Sequence, residues 1–149
     1  MWACKILGRM IYLWVAIGSA IGGVLRYAIA RAMEPVSGGF PWGTFLVNVT
    51  GCVVIGFFGT LTLASGRYAV AESWRIFVMV GICGGFTTFS SFSLQTFERM
   101  RSGAWAVAGA YVVGSVVACV VGVWAGHVLA QRMNDRVAIV QTVDEIETG

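Results

Sequence analysis

Four long apolar runs, separated by short polar links, make up most of this chain. A bilayer core needs about 20 apolar residues in a helix, and the runs at 11–32, 42–64, 74–97 and 104–130 all reach that length. The links carry the punctuation of loops. Residues 33–41 hold Pro35, Pro41 and two glycines, 65–73 carry Arg67 and Glu72, and 98–103 form a short polar turn. The pattern predicts an all-α integral membrane protein with four transmembrane helices in one domain, residues 1–131. The polar remainder, 132–149, ends in Asp144, Glu145 and Glu147 and is expected to lie outside the membrane, partly disordered. Lys5 and Arg9 precede the first run as in a signal sequence. The run nevertheless continues past Gly22-Gly23 to Ala32, long enough to span, and reads as a retained helix.

The third run departs from simple apolarity. Gly84-Gly85 is a poor helix interior, and six Ser/Thr hydroxyls follow where Leu and Val would suit lipid. The spacing predicts a helix broken near Gly84-Gly85. A break at membrane depth survives only where protein or a polar path satisfies the freed backbone groups. Read as a helix from Thr87, Phe89 and Phe92 fall on one face, and Thr88, Ser91 and Gln95 form a hydrogen-bonding stripe beside them. Phenylalanine rings have a positive edge, so this arrangement suits a small anion. It is equally the pattern of core phenylalanines with hydroxyls bonded back onto their own helix.

Other runs add polar groups. Asn48 lies well inside the second, shares a face with Thr44, and needs a hydrogen-bonding partner in an apolar medium. Arg26 sits near the far end of the first, where it either snorkels to the interface or faces a water-filled vestibule. In the fourth run Ala110, Gly114, Ala118, Gly122 and Gly126 repeat every four residues, which signals close helix packing within the chain or across a dimer. Tyr111, Ser115 and Cys119 repeat beside them, and either line a polar path or pack.

Composition narrows the class. The chain is 58% hydrophobic and 11% charged, with mean hydropathy +0.81, far too apolar for an aqueous monomer. The net charge of +3 is spread over helix ends and suggests lipid headgroups rather than nucleic acid. Cys4, Cys52, Cys83 and Cys119 stand far apart and read as small buried hydrophobes, not as a disulfide frame or metal site. With one histidine, no Ser-His-Asp set and no phosphate-binding loop, the chain is not expected to be an enzyme.

The stretch Gly84-Gly-Phe-Thr-Thr-Phe-Ser-Ser-Phe92 closely resembles the Gly-Gly-x-Thr-Thr-Phe-Ser-Thr-Phe signature of the Fluc fluoride channels. Gly43-Thr-Phe-Leu-Val-Asn48-x-x-Gly51 and Gly22-Gly-Val-Leu-Arg26-Tyr27 resemble two further signatures of that family, in the same order. The resemblance implies a fluoride-selective channel in the bacterial inner membrane, exporting cytoplasmic fluoride passively as an antiparallel, dual-topology homodimer. It implies a fluoride pathway through Asn48, Phe89, Phe92, Thr88, Ser91, Ser115, Tyr111 and Arg26. It further implies a structural Na+ at the dimer centre on the backbone carbonyls of Gly84 and Thr87. Ser91 replaces the usual Thr and keeps the hydroxyl; Gln95 stands where Glu is frequent, and Cys119 where some members carry a hydroxyl.

Charge bias leans the other way on topology. Lys5, Arg9, Arg67, Arg75, Arg132 and Arg136 share the side of the termini, against Arg31, Arg99 and Arg101 opposite, a lean toward cytoplasmic termini rather than two orientations. Two rivals remain: a small multidrug-type transporter, and a non-transporting membrane assembly subunit. The first needs a carboxylate inside the membrane, and no run has one in its interior. The second leaves the polar, phenylalanine-bearing third run without a purpose.

Overall fold

The computed structural model describes residues 2–63 and 68–148, with side chains described for 10–63 and 68–135. Lys5, Arg9, Arg67 and Arg136, on which the charge bias partly rests, and Asp144, Glu145 and Glu147 of the tail have side chains outside that set.

All regular structure among the described residues is helical. Helix α1 runs Trp2–Met33 and leads through a 3-10 turn, Glu34–Val36, into α2, Trp42–Leu61. The third span is composite: α3 (Glu72–Arg75), a π-helical segment (Ile76–Cys83), α4 (Gly84–Phe86) and α5 (Phe89–Arg101). Helix α6 runs Trp105–Thr148. Four stretches are long and apolar enough to cross a membrane: Met10–Val36, Trp42–Leu61, Glu72–Arg101 and Trp105–Asp135. These overlap the four predicted runs, the first and third being longer at both ends and the second shorter at its C-terminal end. The backbone of α6 continues helically to Thr148, through the stretch expected from sequence to be partly disordered.

The third span changes partners midway. Its π-helical segment and α4 lie on α1, whereas α5 lies on α6, and α2 packs along α6. The handover is made by two extended residues, Thr87 (φ −73°, ψ 152°) and Thr88 (φ −147°, ψ 112°). The glycines are not themselves the break, because Gly84 is helical at φ −65°, ψ −37°.

What the glycines supply is proximity. A Cβ on Gly85 would lie 2.5 Å from the Ser19 carbonyl oxygen, and one on Gly22 would lie 2.2 Å from that of Ile82. Gly18 and Gly81 are pressed together in the same way, one turn along. So Gly18 and Gly22 on α1 meet Gly81 and Gly85 on the third span. This four-residue spacing of small residues on both helices lets backbones touch without a hydrophobic driving force. On α6 the small-residue repeat is used in part. A Cβ on Gly126 would lie 2.3 Å from the Val53 carbonyl oxygen and Gly122 meets Val53 and Val49 of α2, but nothing lies near Gly114. The packing within the chain thus uses the C-terminal end of the stripe.

Arg75 ties the second link shut. Its guanidinium donates to the carbonyl oxygens of Thr62 (2.7 Å) and Gly59 (3.3 Å), groups left without helical partners at the end of α2.

These contacts predict opposite results for adjacent glycines. Gly22→Ala should destabilise the fold by about 1–3 kcal/mol or more through backbone overpacking. Gly23→Ala, with nothing within 4 Å, should be neutral or mildly stabilising. Thermal unfolding followed by size exclusion in detergent distinguishes the two.

A polar cleft at the helix break

The break is held by one side chain. The Asn48 amide on α2 donates Nδ2 to the Thr88 carbonyl oxygen at 3.1 Å, and its Oδ1 accepts the Thr88 N–H at 2.8 Å. This pair of hydrogen bonds to one residue's backbone is the pairing a neighbouring β-strand would give, and it accounts for the extended conformation of Thr88. Gly51, one turn further along α2, leaves room for Thr87, whose Cγ2 would lie 2.3 Å from any Cβ there. The two ends of the Asn48-x-x-Gly51 motif therefore grip adjacent residues of the break.

Thr88 then starts α5. Its Oγ1 accepts the Ser91 N–H at 3.2 Å and donates to Ser91 Oγ at 3.0 Å, an N-cap. Carbonyls before the break lose their helical donors, Gly84 and Thr87 among them. In a continuous helix Gly84 C=O would accept from Thr88 N–H, which is committed to Asn48. Thr87 C=O would accept from Ser91 N–H, which is committed to Thr88 Oγ1. Both residues line an open cavity, and nothing lies within 4 Å of a Cβ position on Gly84.

That cavity, about 430 Å³, is bounded by Asn48, Gly84, Thr87, Thr88, Phe89, Phe92, Ser115 and Cys119, with apolar residues between them. The Phe89 and Phe92 rings stand 5.5 Å apart, tilted by 45°. Phe89 is 79% exposed, an open aromatic wall. Ser115 is the most informative member: its residue is 5% exposed and its Oγ is buried without a hydrogen-bond partner. An unpaired buried hydroxyl is costly, and this one lies at the cavity wall.

A second cavity, about 270 Å³, is lined by Arg26, Thr44, Thr88, Ser91 and Gln95, among others. Thr88 borders both cavities. Arg26, Ser91 and Gln95 are therefore brought together around this recess. The recess also bears out the Thr88, Ser91, Gln95 stripe as one face of α5.

Tyr111 stands elsewhere. It is fully buried, its ring lies 5.1 Å from that of Phe92, and its hydroxyl donates to Gln95 Oε1 at 3.1 Å. It borders neither cavity. It backs Phe92 and orients Gln95, and the Tyr111–Ser115–Cys119 repeat divides into one packing residue and two that line the cleft. Sequence reasoning also missed the π-helical segment, whose composition is simply apolar, and the convergence of Cys52, Cys83 and Cys119 on the larger cavity.

A four-span membrane protein with a hydroxyl-, amide- and phenylalanine-lined cleft at a helix break is the class these features define. The chain matches the family described as CrcB-like protein, Camphor Resistance (CrcB), over residues 13–127, and it belongs to that family. Among its relatives is a protein of Methylocella silvestris named fluoride-specific ion channel FluC, 56% identical over 126 residues, covering 84% of this chain and 96% of the relative. Proteins of the same name from Paramagnetospirillum magneticum (55% identical over 124 residues, 83% of this chain and 97% of the relative) and Methylobacterium radiotolerans (51% over 135, 91% and 94%) are also similar.

Asn48→Ala should leave the Thr88 N–H and C=O without partners, at a cost of about 1–3 kcal/mol. The expected result is a lower unfolding temperature in detergent, with hydrogen exchange rising first at Thr88 and Phe89.

Proposed function

We propose that this chain is a fluoride-selective channel of the bacterial inner membrane that lets cytoplasmic fluoride leave passively. The observation that carries this reading is the buried, unpartnered hydroxyl of Ser115, facing a cleft walled by Phe89, Phe92 and Asn48. The names of the relatives point the same way.

Fluoride is small and holds water tightly, so a narrow path must replace that water with donors. Ser115 offers one O–H. Asn48 uses one Nδ2–H on Thr88 and has a second to give. Ser91 accepts from Thr88 and keeps its own proton for an anion. The edges of Phe89 and Phe92 supply positive potential without a competing cation. Arg26 in the second recess raises the local anion concentration at the mouth. Thr88, bordering both spaces, joins the recess to the cleft. A carboxylate-coupled transporter needs a carboxylate in the interior of a span, and none stands there.

The assembly in this reading is an antiparallel homodimer of chains inserted in both orientations. Support comes from the exposed Phe89 face and from Gly84, whose open side a second backbone can approach. The freed carbonyls of Gly84 and Thr87 suit a hard cation such as Na+, and at a two-fold axis each chain would contribute this pair. Such an ion would supply structural charge neutralisation between the two breaks.

The direct test is fluoride efflux from liposomes holding the purified protein, with chloride and a drug cation as controls. Fluoride should leave and neither control should; equal chloride flux, or none of either ion, would contradict the proposal. Ser115→Ala separates function from folding. It removes a hydroxyl with no partner, so stability should be unchanged or raised, while the loss of a donor worth about 1.4 kcal/mol at the barrier lowers flux about tenfold. Phe92→Ile keeps most of the volume, loses the quadrupole, and should also cut flux while the protein remains folded.

A further inference from the structure

The three cysteines that seemed scattered in sequence meet at one tier of the larger cavity. Cys52 lies four residues after Asn48 on α2, Cys119 four after Ser115 on α6, and Cys83 four before Thr87 on the third span. The second and fourth spans run in one direction and the third in the other. All three displacements therefore point the same way along the membrane normal, by about 6 Å at 1.5 Å per residue. A tier of thiols thus underlies the tier of amide and hydroxyl groups in the same cleft.

Two of the thiols are neighbours. Cys52 Cβ lies 3.6 Å from the Cβ position of Gly122, less than one turn beyond Cys119 on α6, and both cysteines line the same wall of the larger cavity. Both are half-buried and free, whereas Cys83 is buried. Among the described residues, no group of three or more His, Cys, Asp or Glu side chains is arranged to hold a metal ion. That excludes the tetrahedral set Zn2+ prefers and leaves a pair of soft ligands.

We propose that Cys52 and Cys119 form a two-coordinate site for one soft, thiophilic cation, and that its occupancy closes the cleft to ions. With Hg2+ as the probe, two S–H bonds break, two Hg–S bonds form, and two protons go to water; no electron moves. Thiolate is the ligand form, and soft metals select it over oxygen donors. Fluoride, a hard anion, does not compete for such a cation. The inhibitory part of this inference rests on the proposed channel function, whereas the binding part does not.

The test uses the full chain carrying Cys4→Ser and Cys83→Ser. Mercuric nitrate is titrated in detergent and followed by the ultraviolet charge-transfer band of the bis-thiolate. The band should saturate at one Hg2+ per chain and vanish when Cys52→Ser or Cys119→Ser is added. Zn2+ at the same concentration should leave the Hg2+ titration unchanged. In liposomes, Hg2+ should stop fluoride efflux and dithiothreitol should restore it, each flux being compared with the same variant's metal-free value. Loss of either thiol should weaken the block by roughly 10²–10⁴-fold, the gain a second tethered ligand gives. A band that survives either serine substitution, equal competition by Zn2+, or an undiminished block without Cys52 and Cys119 would overturn the proposal. If no variant passes fluoride, the channel reading fails, and the titration alone still decides whether the site exists.

Discussion

A side-chain amide bonded at both ends to one residue's backbone is the constraint on which the rest of this structure depends. Asn48 gives Thr88 the donor and the acceptor that a helix would otherwise have supplied. Within lipid there is no water to do so, and an unsatisfied peptide group costs several kcal/mol. Once Thr88 is held extended, three consequences follow without further cause. The Gly84 and Thr87 carbonyls lose their donors, the Thr88 hydroxyl becomes the cap of α5, and α5 is released from α1 to pack on α6. The structural and functional readings of Asn48 are therefore not rivals. The same amide that fixes the break stands in the wall of the cleft, with one N–H still unspent.

Glycine contacts make that break possible at a defined depth. Gly18 and Gly22 against Gly81 and Gly85 fix the first half of the third span on α1, with backbone atoms too close for any Cβ. Gly56 and Gly126 do the same for α2 and α6. Two close-packed helix pairs leave a cleft between them, and Phe89, Phe92 and Ser115 face into it. In lipid, where burial of apolar surface gives little, such contacts and the few interhelical hydrogen bonds carry the packing.

The four spans were legible because run length and hydropathy are set by the bilayer, independently of tertiary detail. The hydroxyl stripe of Thr88, Ser91 and Gln95 was legible because it obeys helical spacing. The site of the break was not. Gly84-Gly85 attracts attention as a helix breaker, yet its conformation is helical and its service is close approach to Ser19. The extended residues are threonines, and the cause lies 40 residues away in Asn48, a distance that periodicity does not see. Tyr111 shows the same limit. Its spacing matches Ser115 and Cys119, but its ring packs against Phe92 and it does not border the cleft. That the cysteines share one cavity was hidden for a related reason: residues far apart in sequence were weighed singly, and only the packing of the spans brings them together.

The account turns on Asn48 serving both backbone and ion, and the substitution Asn48→Asp addresses both at once. Aspartate keeps an oxygen for the Thr88 N–H but sets its second oxygen against the Thr88 carbonyl in place of the Nδ2 donor, so the break should form at some cost in stability and the protein should still assemble. It has no N–H to give, and its added acceptor faces an entering anion. Fluoride efflux from liposomes, measured together with oligomeric state in detergent, is the decisive observation. A folded, assembled variant whose flux falls about ten- to a hundredfold, as expected for a lost charge-assisted hydrogen bond of about 1.5–3 kcal/mol, agrees with the account. An Asn48→Asp protein that assembles normally and passes fluoride at the unsubstituted rate would contradict it.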